Sequence, residues 1–255
     1  MRSPRNSWAA IVLLLCTPAS AQERKLDMLV AAYSDSVAAR DGNAIVLRDG
    51  TRLDAGRDDP ATQFAARLSH ASILDIFHQA YPAGAPLAPP AMDFDPGRYR
   101  NKAFFDAVYG DCRKSEVEKN LVSLVWLPKG WGQTIRFTRV GHAADRLREV
   151  SAEIDALPAP LRHAAWPIAG TSACRGVADQ GQPSMHAYGA AIDLNLAVSN
   201  YWLWDSPKGA PVWRNRMPGA IVDIFERHGF IWGGRWYHYD TMHFEYRPEL
   251  VSFKN

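Results

Sequence analysis

Two short stretches hold the residues whose types and spacing could do chemistry. The first is Ser184-Met-His-Ala-Tyr-Gly-Ala-Ala-Ile-Asp193, and the second is Asp240-Thr-Met-His243. Together they offer two imidazoles and two carboxylates. On one continuous helix His186 and Asp193 would lie two turns apart, roughly 10 Å by helical rise. Ligands of one zinc ion must each reach it at about 2 Å, so the first stretch is predicted to bend, and Gly189 is where it can. Beyond the bend, Ala190 to Leu196 alternates. Ile192, Leu194 and Leu196 share one face, while Asp193 and Asn195 share the other. In the second stretch, a strand over 241–246 would put His243 and Glu245 on one face. Asp240 would then sit at the entrance to that strand, a position better suited to a base than to a rigid ligand.

The chemistry this implies is hydrolysis. Two histidines and one carboxylate leave a fourth tetrahedral position for water, as in catalytic rather than structural zinc sites. The expected ligands are His186, Asp193 and His243, holding one catalytic Zn2+. Asp240 is the expected proton acceptor. Arg175, in the loop before Ser184, is the candidate for stabilising an oxyanion. A His–Asp pair alone is more often structural than metal-binding; the added Asp240 and His243 decide for the metal. His238 is the chief competitor for a ligand, substrate or supporting role, and Glu245 is read as supporting. Ser184 has no base and orienting partner beside it, so it is not read as a nucleophile. His70, His78, His142, His163 and His228 are read as surface or packing residues, and Trp202, Trp204, Trp213, Trp232 and Trp236 as core or cleft wall.

The elements that must position these groups follow in chain order. Asp41-Gly42 and Asp49-Gly50 flank Ile45-Val-Leu and predict a hairpin after a short helix. Phe64, Leu68, Ile73, Ile76 and Phe77 recur at helical spacing within 62–80. Residues 81–97 are rich in Pro, Ala and Gly, and mark either a boundary or a strap across one domain. Helices are predicted over 104–109, 115–125, 143–156 and 218–228, the last with Pro218 in its first turn and Gly229 at its end. Strands are predicted over 133–140, 230–236 and 241–246. This divides the chain into a signal segment (1–21), an N-terminal extension (22–100) and a catalytic domain (101–255).

Composition narrows the class. The chain has 255 residues, 47% hydrophobic and 22% charged, ordinary values for a globular protein. Arg2 and Arg5 precede a short apolar run from Trp8 to Cys16, and Ala19-Ser20-Ala21 is a small-residue cleavage site. The run is too short to cross a bilayer, so no stable membrane insertion is expected. Without Arg2 and Arg5 the 29 basic residues become 27, against 27 acidic. A neutral chain with no basic run gives no reason to expect nucleic acid. Cys112 and Cys174 would remain after cleavage, and in an oxidising compartment a disulfide is the default, with thiolate ligation of zinc the weaker alternative.

The pattern Ser184, His186, Gly189, Ala191, Asp193 with Asp240 and His243 resembles the D-alanyl-D-alanine carboxypeptidase family of zinc peptidases. That family includes D-Ala-D-Ala dipeptidases and the L-alanyl-D-glutamate endopeptidases of phage lysins. Gly233-Gly-Arg-Trp-Tyr-His-Tyr-Asp-Thr-Met-His-Phe-Glu245 is most similar to the endopeptidase and carboxypeptidase branch. The resemblance implies zinc on His186, Asp193 and His243, Asp240 as base, and substrate contact by Arg175, nine residues before Ser184. It implies an α+β fold, a small antiparallel sheet with helices packed on it, shared with the Hedgehog signalling domain and here carrying an N-terminal elaboration. The implied partner is a peptidoglycan stem peptide, met in the periplasm or outside the cell. A looser likeness reaches back through Asp95-Pro-Gly-Arg98 and Asp49-Gly-Thr51, while the loop from Cys174 to Asp179 departs from the pattern. Because the fold alone does not guarantee activity, the competing reading is a non-catalytic peptidoglycan-binding module. The intact mass of exported protein should correspond to a chain beginning at Gln22; a retained N-terminus or a lipidated Cys16 would refute the signal assignment.

Overall fold

The computed structural model describes residues 20–176, 182–207 and 209–252. The signal segment expected at 1–21 therefore lies outside the described residues except for Ser20 and Ala21. Those two open the first helix, α1 (Ala21–Ala32). Ser20 caps it in a reciprocal box with Glu23, the Ser20 hydroxyl accepting from the Glu23 amide and the Glu23 carboxylate from the Ser20 amide. The cleavage point expected before Gln22 thus falls in the first turn of α1. No described helix is long and apolar enough to cross a membrane.

After α1 come three short antiparallel strands in sequential order, β1 (Val37–Asp41), β2 (Ala44–Leu47) and β3 (Arg52–Asp54). The expected hairpin is thus extended by one strand. The helical pattern over 62–80 is interrupted. Only Phe64–His70 forms an α-helix (α2), and Leu74–Phe77 is a separate 3-10 turn. Asp75 explains the break, because its carboxylate takes the amide and hydroxyl of Ser72, a local bond that competes with a continuous helix. Next is α3 (Lys102–Tyr109), capped by the Asn101 side chain at the Phe104 amide and ended at Gly110.

The helix predicted over 115–125 does not form. A 3-10 turn at Val117–Asn120 leads into β4 (Leu121–Trp126), which pairs in full register with β5 (Gln133–Thr138). The partner strand, not local propensity, decides this segment. Then α4 (Ala143–Asp155), within the helix predicted over 143–156, buries Leu147, Val150 and Ile154 on one face, and α5 (Ala159–Arg162) follows. The remaining elements are β6 (Ala191–Asp193), α6 (Trp202–Asp205), α7 (Gly219–Arg227), β7 (Phe230–Trp232), β8 (His243–Tyr246) and α8 (Pro248–Val251). Pro218 is the N-cap of α7 rather than part of its first turn, and Gly229 follows the helix end at φ 87°.

The sheet that matters for function has the order β6-β8-β7, all antiparallel. It is covered on both faces. One face meets a core of Ile192, Phe225, Phe244, Trp126 and Leu147, in which Phe225 stacks on Phe244 at 4.0 Å. The other meets Leu26, Tyr33, Phe77, Phe105, Tyr188 and Trp236. The second core mixes residues from before and after position 100. Residues 81–97 cross the molecule as a strap. The Tyr237 amide donates to the Phe94 carbonyl at 2.8 Å, the Trp236 indole to Pro96 at 2.7 Å, and Arg247 to Gly97 at 2.7 Å. The outcome is the expected α+β architecture, built from small antiparallel sheets with helices packed on them.

Gly189 occupies the predicted bend at φ 64°, and a Cβ there would meet Leu121 Cδ2 at 2.3 Å. Gly189→Ala combines left-handed backbone strain with overpacking. It should lower stability by at least about 2 kcal/mol in denaturant unfolding. A loss below about 0.5 kcal/mol would show that β4 relaxes around it.

Candidate metal centre and its cleft

The site begins as a register. In the β6–β8 pair Asp193 lies opposite His243 and Ala191 opposite Glu245. Directly opposed residues share a face about 5 Å apart, so Asp193 meets His243 across the ladder. Ile192 and Phe244, the intervening pair, point into the core. Ala191 leaves room for Glu245, which is wholly buried. His186 arrives from a 3-10 turn, Met185–Tyr188, whose first amides are satisfied by Ser184; its hydroxyl accepts from the His186 amide. That capping is the structural use of the motif serine. The alternation expected beyond Asp193 stops there. Asn195 instead caps a 3-10 turn at Leu196–Val198 and donates to the His163 and Trp166 carbonyls, and Leu196 is exposed.

Three ligand atoms converge. His186 Nε2 lies 3.2 Å from His243 Nδ1, His243 Nδ1 lies 3.0 Å from Asp193 Oδ1, and His186 Nε2 lies 3.1 Å from Asp193 Oδ1. Donors that each sit about 2 Å from a tetrahedral ion are separated by little more than 3 Å, so this triangle fits one face of a zinc shell. The far nitrogens are engaged in the sense such a shell requires. His186 Nδ1 donates to the Thr171 carbonyl at 3.2 Å and His243 Nε2 to Glu245 at 3.0 Å. A carbonyl can only accept, so Nδ1 carries a proton and Nε2 is the nitrogen that faces the triangle. Glu245 is held in turn by Arg100 at 2.6 Å and Arg247 at 3.0 Å.

The electrostatics favour positive charge between the carboxylates. Burial opposes charge on the His243 ring, yet Asp193 and Glu245 push it up to about 10. Burial would raise the Asp193 carboxyl, but His186 and His243 hold it well below the usual range. The Glu245 carboxyl is likewise depressed against its burial, first by Arg100. A second cluster, Asp58, Asp75 and His78, also has ligand spacing. There the Arg67 guanidinium already bridges Asp58 and Asp75, so the positive charge is in place.

Asp240 stands beside the triangle rather than in it. Its amide donates to the Gly233 carbonyl at 3.0 Å, and a Cβ on Gly233 would come within 2.5 Å of the Asp240 carbonyl. The glycine therefore permits the tight turn that brings Asp240 to the entrance of β8. The residue is partly exposed, but its Oδ1 is buried and has no hydrogen-bond partner among the described residues. Burial first, then the Asp193 charge, push its carboxyl up to about 7. It lines a cleft with Arg98, Arg100, Arg175, Ser184, Tyr201, Trp202, Trp236, His238 and His243.

Arg175 reaches this cleft from an exposed hairpin arm. The Ser184 amide donates to the Arg175 carbonyl at 3.1 Å, and Gly176 bridges Pro183. The Cys112–Cys174 disulfide ties that arm to the end of α3. Val177 to Asp179 of the departing loop lie outside the described residues. Arg98 and Arg100 in the cleft were not singled out from sequence. They sit about 140 residues from the second stretch, and no spacing rule links such distant segments. The Asp95-Pro-Gly-Arg98 run was their one visible signal. Of the five tryptophans read as core or wall, Trp202 and Trp236 line the cleft and Trp232 is core, while Trp204 is 58% exposed.

Residues 178–246 match the family model described as D-alanyl-D-alanine carboxypeptidase. The match spans 69 of the 255 residues. It contains His186, Asp193, Asp240 and His243, as the motif resemblance implied. No curated protein and no solved structure matches the chain. The match supports, at a coarse level, a peptidase that acts on peptidoglycan.

Asp240 reverses the usual carboxylate case. Its folded value lies above the unfolded value of about 3.9, so the folded chain retains a proton that the unfolded chain has lost between about pH 4 and 7. Over that window its burial costs increasing stability. With zinc removed by chelator, Asp240→Asn should gain melting temperature over wild type by an amount that grows from pH 4 to 7 and then levels off. A constant difference across that range would show that Asp240 ionises normally.

Proposed function

We propose that the protein is an exported, zinc-dependent peptidase that hydrolyses a bond in peptidoglycan stem peptides. The bond is D-Ala-D-Ala at the chain end or L-Ala-D-Glu within it. The observation that carries this reading is the triangle of His186, Asp193 and His243 with the unpartnered Asp240 Oδ1 in the adjoining cleft. The residues fit a zinc ion, which when bound polarises the scissile carbonyl and acidifies water.

The chain's own groups account for the rest. Asp240 has a free, buried acceptor atom for the proton of the attacking water, and can deliver that proton to the leaving nitrogen. Arg175 is the cleft cation whose side chain makes no ion pair with a described residue, and it is placed to meet a developing oxyanion. Arg98 and Arg100 are paired with Asp95 and Glu245, which leaves Arg175 as the positive charge the cleft offers a substrate. This suits both candidate bonds, because each places a carboxylate on the carbon that bears the leaving nitrogen. The shared carboxylate explains why one cleft chemistry serves carboxypeptidase and endopeptidase alike.

Digestion of purified sacculi with the zinc-loaded protein tests the reading. New amines or free D-alanine should appear and should be lost with chelator, and mass spectrometry of the digest names the bond. Release of nothing would favour the binding module instead. Asp240→Asn should cut turnover on the order of 10²- to 10⁴-fold while zinc remains bound. Loss of the metal in that variant would make Asp240 a ligand and not the base.

A further inference from the structure

The matched segment does not complete the cleft by itself. His238, two residues before Asp240, lines it, and its ring is hydrogen-bonded and stacked by residues from before position 100. The Asp95 carboxylate uses both oxygens on this one residue. Oδ2 lies 2.7 Å from His238 Nδ1, and Oδ1 accepts from the His238 amide at 3.1 Å. Phe64 stacks on the ring at 5.6 Å with planes 22° apart, and Trp202 closes it edge-on at 4.8 Å. The backbone, the hydrogen-bonding edge and the ring plane of His238 are all constrained.

Asp95 is built to stay charged in this role. It is fully buried, and burial alone would raise its carboxyl. The bonds from His238 and the charge of Arg98 more than offset that and hold it below the usual range. Arg98 donates to the same Oδ2 at 3.0 Å, and the Asp95 amide is tied to the Gln79 side chain at 2.7 Å. An ionised carboxylate can only accept, so Nδ1 of His238 must carry a proton. The opposite nitrogen, Nε2, has no partner among the described residues and is not among their buried unpaired atoms. It is the ring atom left for the cleft.

We infer that Asp95 is a positioning residue of the active site. It sets the tautomer and orientation of His238 so that Nε2 meets the substrate beside Asp240. On this account the N-terminal segment is a working part of the peptidase and not an appendage. The inference rests on the peptidase reading above. It adds that a carboxylate about 145 residues before the base acts on catalysis through an imidazole, as buried carboxylates do for working histidines elsewhere.

A double-mutant cycle in the zinc-loaded full chain tests it. Asp95→Asn keeps the shape and an acceptor for the His238 amide, yet removes the charge. It should lower kcat on the order of 10- to 100-fold, the scale found for carboxylates that orient metal-bound histidines, with KM and zinc content nearly unchanged. In a His238→Ala background the same substitution should change kcat by no more than about 2-fold, since a positioning effect needs its target. Losses that multiply in the double variant would overturn the inference and make Asp95 merely structural. An inactive wild type would overturn the peptidase reading and this role with it. Should Asp95→Asn not fold, ring 15N spectra of the wild type decide the matter without kinetics. The His238 signal, assigned by its loss in His238→Ala, should show a proton on Nδ1; a bare Nδ1 overturns the inference.

Discussion

The structure hangs on a buried carboxylate, Glu245, clamped among three cationic or protonatable groups. It accepts from His243, Arg100 and Arg247, and neither it nor Arg247 has any exposure. Burying an ion without partners is prohibitive, and removing one member of such a set leaves an uncompensated charge worth about 3–5 kcal/mol. The clamp therefore recruits distant segments. Arg247 also binds Glu249 at 2.6 Å and the Gly97 carbonyl, and Glu249 accepts from Tyr33, which ends α1, at 2.8 Å. One end of this chain of contacts is the end of the first helix, and the other is a ring nitrogen of His243. The orientation of His243 is thus a property of the whole fold, because its Nδ1 faces Asp193 and His186 only while Nε2 is held from behind.

The same logic runs on the opposite side of the cleft at a smaller scale. Asp95 stands to His238 as Glu245 stands to His243, a buried carboxylate aiming an imidazole, with Arg98 in the place of Arg100 and Arg247. Beside them in the cleft lies Asp240, whose buried Oδ1 has no hydrogen-bond partner among the described residues. Fixed carboxylates behind the histidines and a loosely held one in front divide structure from chemistry. His243, Arg98 and Arg175 moderate the high Asp240 carboxyl.

Sequence patterns revealed the parts of this arrangement governed by local rules. Gly189 had to be a bend, since a straight helix separates His186 from Asp193 too far, and it is one. Helix α4 and strand β5 form within the ranges predicted for them, 143–156 and 133–140. Readings failed where a partner outranked the local pattern. Leu121–Trp126 is a strand because β5 lies beside it. The 62–80 helix breaks because Asp75 captures Ser72. Leu196 leaves the expected face because Asn195 turns the chain by bonding 163–166. Each of these is a contact whose two ends are distant or compete with the backbone, and periodicity is blind to both.

The sequence by itself determined the inventory of the site: two imidazoles, two carboxylates and an arginine, spaced so that only a bent strand-and-turn arrangement could bring them together. It also determined the small residues, Gly189, Ala191 and Gly233, that permit close approach. Tertiary structure alone decided the register that sets Asp193 against His243, the carboxylates that aim each histidine, and the strap that carries Asp95, Arg98 and Arg100 into the cleft. The reason is physical. Residue types and short spacings limit what a segment can reach, but the direction of a ring nitrogen depends on hydrogen bonds made behind it. In this chain those bonds come from residues up to about 145 positions away.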